Sequence, residues 1–331
     1  MHDLPQNHWY PLFLAREIKA KPQRFERFGH PWVVCRMADG ALLMARDRCP
    51  HMGASLAKGS LHEGELQCPF HGFCFNAEGE CTRIPALGRH GKIPKKMQLH
   101  TIPLREIQGW VWGWWGEAEP DATLMPAFTE FDHDWRWRDI WSTWSVHVTR
   151  AIENQLDVAH LPFVHRKSIG AGGRSLVEGP YVEASDRAIK VWVTNSKDEG
   201  QAPRDLDTLA GLSKTLPPNL EFRFPGLWQL RIHSTLRLLV AFVPVNAKET
   251  RFYVRSCHTL RLPILGHLYS QILGLSNRWI LKEDERVVRE IVPPSSLDAE
   301  DDLLIASDRA IVHFRKIWRR LLEDTPISAP E

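Results

Sequence analysis

Two short segments, Cys49-Pro50-His51 and Cys68-Pro69-Phe70-His71, each present one thiol and one imidazole, with sixteen residues between them. Two thiolates on one iron and two imidazoles on the other form a ligand set for a [2Fe–2S] cluster. Such a cluster carries less negative charge than an all-cysteine one and sits at a higher potential. Structural zinc, which also takes two Cys and two His, is the rival. Zinc sites usually pair cysteine with cysteine at short spacing and gather the histidines elsewhere, whereas here each segment donates one of each. Small residues (Gly53, Ala54, Gly72) flank both segments, as close approach of backbone to bridging sulfides requires. A cluster only stores and passes electrons, so a recipient has to be found.

The run from Glu153 to His165, ENQLDVAHLPFVH, supplies a candidate. His160 and His165 are five residues apart and on a continuous helix would point about 140° apart, too far to share an ion. Pro162 removes that objection by ending or kinking the helix, so that the chain can fold back. Two converging neutral imidazoles and one carboxylate make a facial triad that suits Fe(II) and leaves positions open for O2 and substrate. A pair of ordinary buried or surface histidines is the alternative. The carboxylate is sought in Trp279 to Val292, WILKEDERVVREIV. At about 100° per residue, Asp284 falls at the centre of the stripe made by Ile280, Leu281, Val287, Val288 and Ile291, while Glu283 and Glu285 lie near or beyond its edges. An acid in that position is costly unless paired or bound to metal, and a salt-bridged structural Asp is the other reading. Asp301 and Asp302 read as first-turn acids of the last helix. Asp157, three residues before His160, shares its helical face and is placed to accept the imidazole N–H and orient the ring.

The elements that must hold these groups change style along the chain. Up to about residue 118 short apolar runs alternate with turn signals, as in PWVVCRM, Ala38-Asp39-Gly40 and ALLMARD, which is a hairpin-rich β pattern. GEAEPDA (Gly116 to Ala122) has linker character and divides the chain into 1–118 and 119–331. Beyond it a helical stretch from about Arg150 is expected, then strands near 181–195, 221–232, 236–245 and 250–260, then helices. That order suggests an α+β domain with a curved antiparallel sheet folded around a long helix. Segments 166–179 and 196–218 read as long irregular loops. Among sheet candidates, Phe222, Phe224, Trp228, His233 and Phe242 divide between pocket and core according to an unknown register, and His147 and His258 are left equally open.

With 331 residues, a net charge of +2 and acids and bases interspersed, nothing points to a nucleic-acid groove. No apolar run approaches the ~20 residues of a membrane span, and the first residues lack the basic-then-apolar order of a signal peptide, so a cytoplasmic protein without a membrane or nucleic-acid partner is expected. Of six cysteines, Cys35, Cys74, Cys81 and Cys257 show no framework spacing and read as reduced thiols.

From about Trp9 to Trp115 the chain resembles the Rieske domain of the Rieske non-haem iron oxygenases, in CPHMGASLAKG, in CPFHGFCF, and from Gly79-Glu80-Cys81 to Ile84-Pro85. Respiratory Rieske proteins carry an extra disulfide-forming cysteine in each loop, which Met52 to Ala54 and Phe70 do not supply, so the likeness is to the lower-potential oxygenase type. Phe73 stands where many of these oxygenases have Trp. Asn154, Asp157, His160 and His165 resemble the mononuclear-iron motif of the same family, in which an Asp directly after Glu or Asp in a late helix, here Asp284, is the third ligand.

The resemblance implies a [2Fe–2S] Rieske cluster on Cys49, His51, Cys68 and His71 and a mononuclear Fe(II) on His160, His165 and Asp284. Asn154 would lie near that iron, unless it merely hydrogen-bonds along its helix. It implies an all-β Rieske domain followed by a helix-grip-like α+β catalytic domain. It also implies a head-to-tail homotrimer in which Asp157 bonds His71 of the neighbouring copy. Electrons would come from NAD(P)H through a reductase or ferredoxin. The expected activity is O2-dependent monooxygenation, by hydroxylation or oxidative O- or N-demethylation, of a small to medium hydrophobic organic substrate, aromatic or polycyclic. Vanillate and dicamba demethylases are members of that kind. Cis-dihydroxylation of an aromatic ring and a steroid- or pheophorbide-type oxygenation are alternatives, and an electron carrier without iron in its second domain is a further one.

Overall fold

The computed structural model describes residues 3–131, 134–204, 210–211 and 213–324. Two compact units emerge, Asn7–Ala122 and Thr123–Glu331, the latter joined by His2–Gln6.

The first unit is built from hairpins, as the alternation of apolar runs and turns requires. Its strands are β1 (His8–Leu14), β2 (Gln23–Arg27), β3 (His30–Arg36), β4 (Leu42–Arg46), β5 (Ser60–His62), β6 (Glu65–Gln67), β7 (Cys74–Phe75), β8 (Cys81–Arg83), β9 (Leu104–Ile107) and β10 (Trp110–Trp115). They form three antiparallel sheets in the orders β1-β10-β9, β2-β3-β4 and β5-β6-β7-β8. The tryptophan-rich run is β10. Its Gly113 lies against Leu12, whose Cδ1 would stand 2.4 Å from a Cβ there and would have to move. Cys49 and Cys68 sit in one apolar cluster with Val33, Leu66, Phe75 and Ile84, so the loops that carry them are anchored in the core.

The second unit holds β11 (Arg136–Trp144), α1 (Val148–Leu156), α2 (Leu161–Val164), β12 (Leu176–Ala184), β13 (Ala188–Ser196), β14 (Leu220–Arg223), β15 (Leu227–His233), β16 (Leu236–Asn246), β17 (Glu249–His258), α3 (Pro263–Val288) and α4 (Arg309–Glu323). The sequence region 181–195 is a hairpin rather than one strand, turning where the Ser185 hydroxyl accepts from the N–H groups of Arg187 and Ala188. Region 221–232 is likewise β14 and β15, broken at Phe224-Pro225-Gly226. Of the expected loop 196–218, residues 205–209 and 212 lie outside the described residues.

The expectation of a helix-grip-like, curved sheet around one long helix is not met. The seven strands run in the order β11-β17-β16-β15-β14-β13-β12, an open antiparallel sheet with β11 and β12 at opposite edges. The helical tail is interrupted at Pro293 and Pro294, so two helices share the work. One of them, α3, packs against β11 and β17, while α4 packs against β12 and β13. Phe222, Phe224 and Phe242 are core: Phe222 and Phe224 pack on Phe314 of α4, and Phe242 on Phe222. His147 caps α1 and pairs with Asp3, and His258 contacts Ser270, so both serve structure, while His233 is exposed.

Asp302 is not in the first turn of the last helix, which begins at Arg309. With Glu153 of α1 it instead receives two guanidinium groups: Arg315 bonds Glu153 at 2.6 Å and Asp302 at 2.7 Å, and Arg150 bonds them at 2.9 and 3.0 Å. Arg315→Ala leaves Glu153 buried with one cation fewer, and a loss on the order of 3 kcal/mol is expected in urea unfolding. Burial alone would raise the Asp302 carboxyl, but Arg315 and Arg150 hold it below the usual range. Its contribution is therefore present above the unfolded aspartate pKa and disappears as pH falls through the lower folded value. An unchanged acid midpoint in the variant would refute this.

Candidate metal centres

The two cysteine loops have the same local wiring. Cys49 N–H donates to Ala54 O and Gly53 N–H to Cys49 O; Cys68 N–H donates to Phe73 O and Gly72 N–H to Cys68 O. Gly53 and Gly72 hold the same place in each loop, with φ of 75° and 70°, a conformation that favours glycine. Both cysteines are buried and free, whereas His51 and His71 are exposed, their ring centroids 4.7 Å apart. Phe73 stacks on His51. Burial, together with the adjacent Cys68 thiol, pushes the Cys49 thiol up to about 11. Among the described residues these four donors do not gather at single-ion distance. A tetrahedral zinc would need that, and a cluster of two irons does not.

The second centre does gather. One ligand atom from each of His160, His165 and Asp284 lies within 4.8 Å of the others. The local route to this differs from the expected one. The first helix already ends at Leu156, and Asp157 is its extended C-cap. Pro162 sits in the first turn of α2, where proline is tolerated, so it opens a short helix rather than closing one. His160 and His165 bracket that helix as N-cap and C-cap, their ring centroids 5.3 Å apart. From α3, Asp284 reaches in with Oδ1 2.9 Å from His165 Nε2 and 3.6 Å from His160 Nε2.

The geometry of this group fits a metal. Asp284 is 2 % exposed and forms no ion pair with Lys or Arg among the described residues. Its Oδ1 is buried without a hydrogen-bond partner, so the short approach to His165 lacks hydrogen-bond alignment. Three donors aimed at a shared point rather than at one another are satisfied by a cation, and two imidazoles with one carboxylate suit Fe(II).

Both outward nitrogens face a carboxylate, but only that of His165 is hydrogen-bonded, and His160 Nδ1 is buried without a hydrogen-bond partner. Asp157 Oδ1 accepts from Ala159 N–H, and its Oδ2 lies 3.5 Å from His160 Nδ1. Burial would raise the Asp157 carboxyl, but His160 and nearby backbone N–H groups hold it below the usual range. His165 Nδ1 donates to Glu283 Oε2 at 2.9 Å, and the Ser168 hydroxyl donates to the same oxygen at 2.7 Å. Burial works to lower His165, yet Asp284 and Glu283 outweigh it and hold the imidazole above its ordinary value. Sequence reasoning set Glu283 aside because its Cβ lies at the edge of the helical stripe; the length of its side chain lets it reach inward. Glu283→Gln is expected to weaken Fe(II) binding about tenfold, read by competition with a chelator, while sulfide content stays unchanged. Asn154 is half-buried, with Nδ2 lacking a hydrogen-bond partner, and does not line the cavity beside the triad.

That cavity has a volume of about 370 Å³. Trp228, Leu230 and Ile232 of β15 alternate toward it, and Leu273, Ile280 and Asp284 of α3 face it at helical spacing. Neither set was legible without the register. A β unit with a buried cysteine pair and exposed histidines, and a second unit with a two-histidine, one-carboxylate centre at a cavity, define an iron protein with two redox centres.

Comparison with known proteins gives the family. Residues 8–103 match the Rieske [2Fe-2S] domain, and residues 144–324 match the vanillate O-demethylase oxygenase C-terminal domain. The chain belongs to the Rieske non-haem iron oxygenases. It is 31% identical over 93% of its length to the chloroplastic protein TIC 55 of Pisum sativum, and 26% identical over 96% to chlorophyllide a oxygenase of Arabidopsis thaliana. It spans 56% and 58% of those relatives, little more than half. The fold is that of dicamba monooxygenase bound to 3,6-dichlorosalicylic acid, with a TM-score of 0.78, 22% identity and coverage of 97% of this chain and 98% of that one. Pseudomonas putida CBB5 NdmA with caffeine gives 0.75, 20%, 96% and 91%. Among the described residues no helix is long and apolar enough to cross a membrane.

Proposed function

We propose that the chain is the terminal oxygenase of a Rieske system that monooxygenates a small hydrophobic substrate. The observation that carries this reading is the convergence of His160, His165 and Asp284 on one point at the wall of an apolar cavity. In this reading Cys49, His51, Cys68 and His71 hold the cluster, and His160, His165 and Asp284 hold the mononuclear iron. When bound, the cluster supplies electrons from a reductase or ferredoxin and the iron supplies the O2 chemistry.

The chain's own residues do the positioning. Glu283 fixes His165 from behind by a hydrogen bond and Asp157 stands 3.5 Å behind His160 Nδ1, so that both imidazoles present Nε2 to the same point. Val193, Leu220, Trp228 and Leu230 exclude water and hold an apolar ring over that point, while Arg231 adds a polar group to the wall and the amides of Asn195 and Asn277 donate to Val158 O and Ser256 Oγ. A volume of about 370 Å³ is near the lower end for ligand sites and favours one or two rings over a tetrapyrrole or steroid. Solved relatives with 3,6-dichlorosalicylic acid and caffeine bound support the same size class. We carry over the family's head-to-tail trimer, in which Asp157 meets His71 of the partner subunit.

The test is turnover under 18O2 with a ferredoxin reductase chain and a panel of one- and two-ring methyl ethers, N-methyl compounds and apolar arenes. Formaldehyde release or a singly labelled alcohol supports the proposal. A doubly labelled cis-diol would replace it with dihydroxylation, and cluster oxidation without any product would leave an electron carrier.

A further inference from the structure

Helix α3 is apolar on the side that faces solvent as well as on the side that faces the core. Ile264, Leu265, Leu268, Ile272, Leu275 and Trp279 are each between 53% and 83% exposed. At about 100° per residue they fall within an arc of about 100° on the helix. The opposite side holds Gly266, Asn277, Leu281 and Asp284, all buried. Sheet packing, cavity and metal triad therefore leave this stripe unused, and it runs about 22 Å along the helix. Single apolar residues on a surface are ordinary, whereas a contiguous stripe of six large ones marks an interaction surface. Its start at Ile264 is about 30 Å along the helix from Asp284. The first half of the stripe thus lies away from the Asp157 surface given to the partner subunit.

Charge decides what covers it. From Thr250 to Lys282 the sequence holds no Asp or Glu. Arg261, Arg278 and Lys282 are exposed, as is Arg136 of β11, which donates to Arg261 O at the start of the stripe. Asp134 pairs with Arg261. The acids that follow the stripe, Glu283, Asp284 and Glu285, are buried or half-buried, the first two turned to His165. A second copy laid stripe to stripe would bring Arg278 and Lys282 against a helix with no acid over that stretch, whereas paired helices set opposite charges at their flanks. An anionic lipid surface complements both parts: apolar side chains enter the acyl boundary, cations meet headgroups, and Trp279 sits between. We propose that α3 docks the chain on an anionic lipid bilayer through the stripe from Ile264 to Trp279, flanked by Arg278 and Lys282. The helix lies along the surface, because its other side is committed to the core and the triad. Leu273, Ser276 and Ile280 of the same helix line the cavity, and Ser276 is exposed beside Leu275, so the cavity wall reaches the edge of the docked face. The docking goes beyond the oxygenase reading and does not depend on it.

The experiment is co-sedimentation of full-length holoprotein with vesicles of phosphatidylcholine alone and of phosphatidylcholine mixed with phosphatidylglycerol. Wild type is compared with L268Q/I272Q/L275Q and with R278Q/K282Q. Wild type should bind the mixed vesicles and be released as salt is added. The triple variant should bind them at least about tenfold more weakly, and the charge variant should lose the preference for mixed vesicles. Iron and sulfide contents and the size of the native oligomer should match wild type, and the charge variant carries the test alone if the triple variant loses iron. Failure of wild type to bind mixed vesicles, or undiminished binding by both variants, would overturn the proposal. So would equal wild-type binding to the two kinds of vesicle. A smaller oligomer in the triple variant would overturn it too, by making the stripe a contact between copies. No substrate enters these measurements, so their failure leaves the oxygenase reading to its own test.

Discussion

Asp284→Ala is expected to leave about two irons per chain in place of three, with acid-labile sulfide unchanged and product formation reduced to background. The substitution removes one of three donors that converge on a single point, and the two imidazoles that remain make a much weaker site. The cluster loops belong to a separate compact unit with its own core, so their iron should not respond. Structural damage should be small, because the lost carboxylate has no Lys or Arg to strand. His160→Ala should give the same iron count. Three irons retained in both variants would remove Asp284 and His160 from the ligand set, and two irons in the wild type would mean that the second centre holds no metal.

Asp157→Ala separates metal binding from coupling. Oδ2 of Asp157 is 3.5 Å from His160 Nδ1, and its side chain is 31% exposed, so it braces the ring and still presents a face outward. Loss of that brace should cost roughly tenfold in iron affinity, which excess Fe(II) restores. Turnover with saturating iron should remain down by about a hundredfold if Asp157 also links the centres across the proposed trimer contact. In a single-turnover experiment the pre-reduced cluster of the variant should stay reduced in the presence of substrate and O2. Normal turnover with iron restored would leave Asp157 as a brace for His160 alone.

Legibility followed the range of the interactions. Asp284 could be found because a lone acid in the middle of an apolar helical stripe is a local anomaly, and both Leu281 and Val288 on that stripe are buried beside it. The cysteine loops could be found because their chemistry sits within a few residues. The placement of Asp157 beside His160 was reached through a helical spacing that the chain does not use, since Asp157 is already extended and approaches the ring across a turn. Glu283 was missed because a wheel projects Cα positions and ignores reach. The openness of the sheet was missed for a deeper reason. Whether β11 meets β12 depends on the pairing of β11 with β17, more than a hundred residues away, and no local pattern encodes that. The same gap hid Trp228 and Leu230, whose facing depends on register.

An open sheet leaves two rows of backbone N–H and C=O groups that another strand could extend. On β12 the row is interrupted by Pro180, at a bulge between Glu178 and Tyr181, which removes a donor and breaks the ladder, while α3 packs on the sheet at β11 and β17 and α4 at β12 and β13. A strand added from outside would lose its register on β12 at Pro180. Truncation before Arg309 would strip Phe314 from Phe222 and Phe224, and the first symptom would be aggregation through the uncovered aromatic face of the sheet.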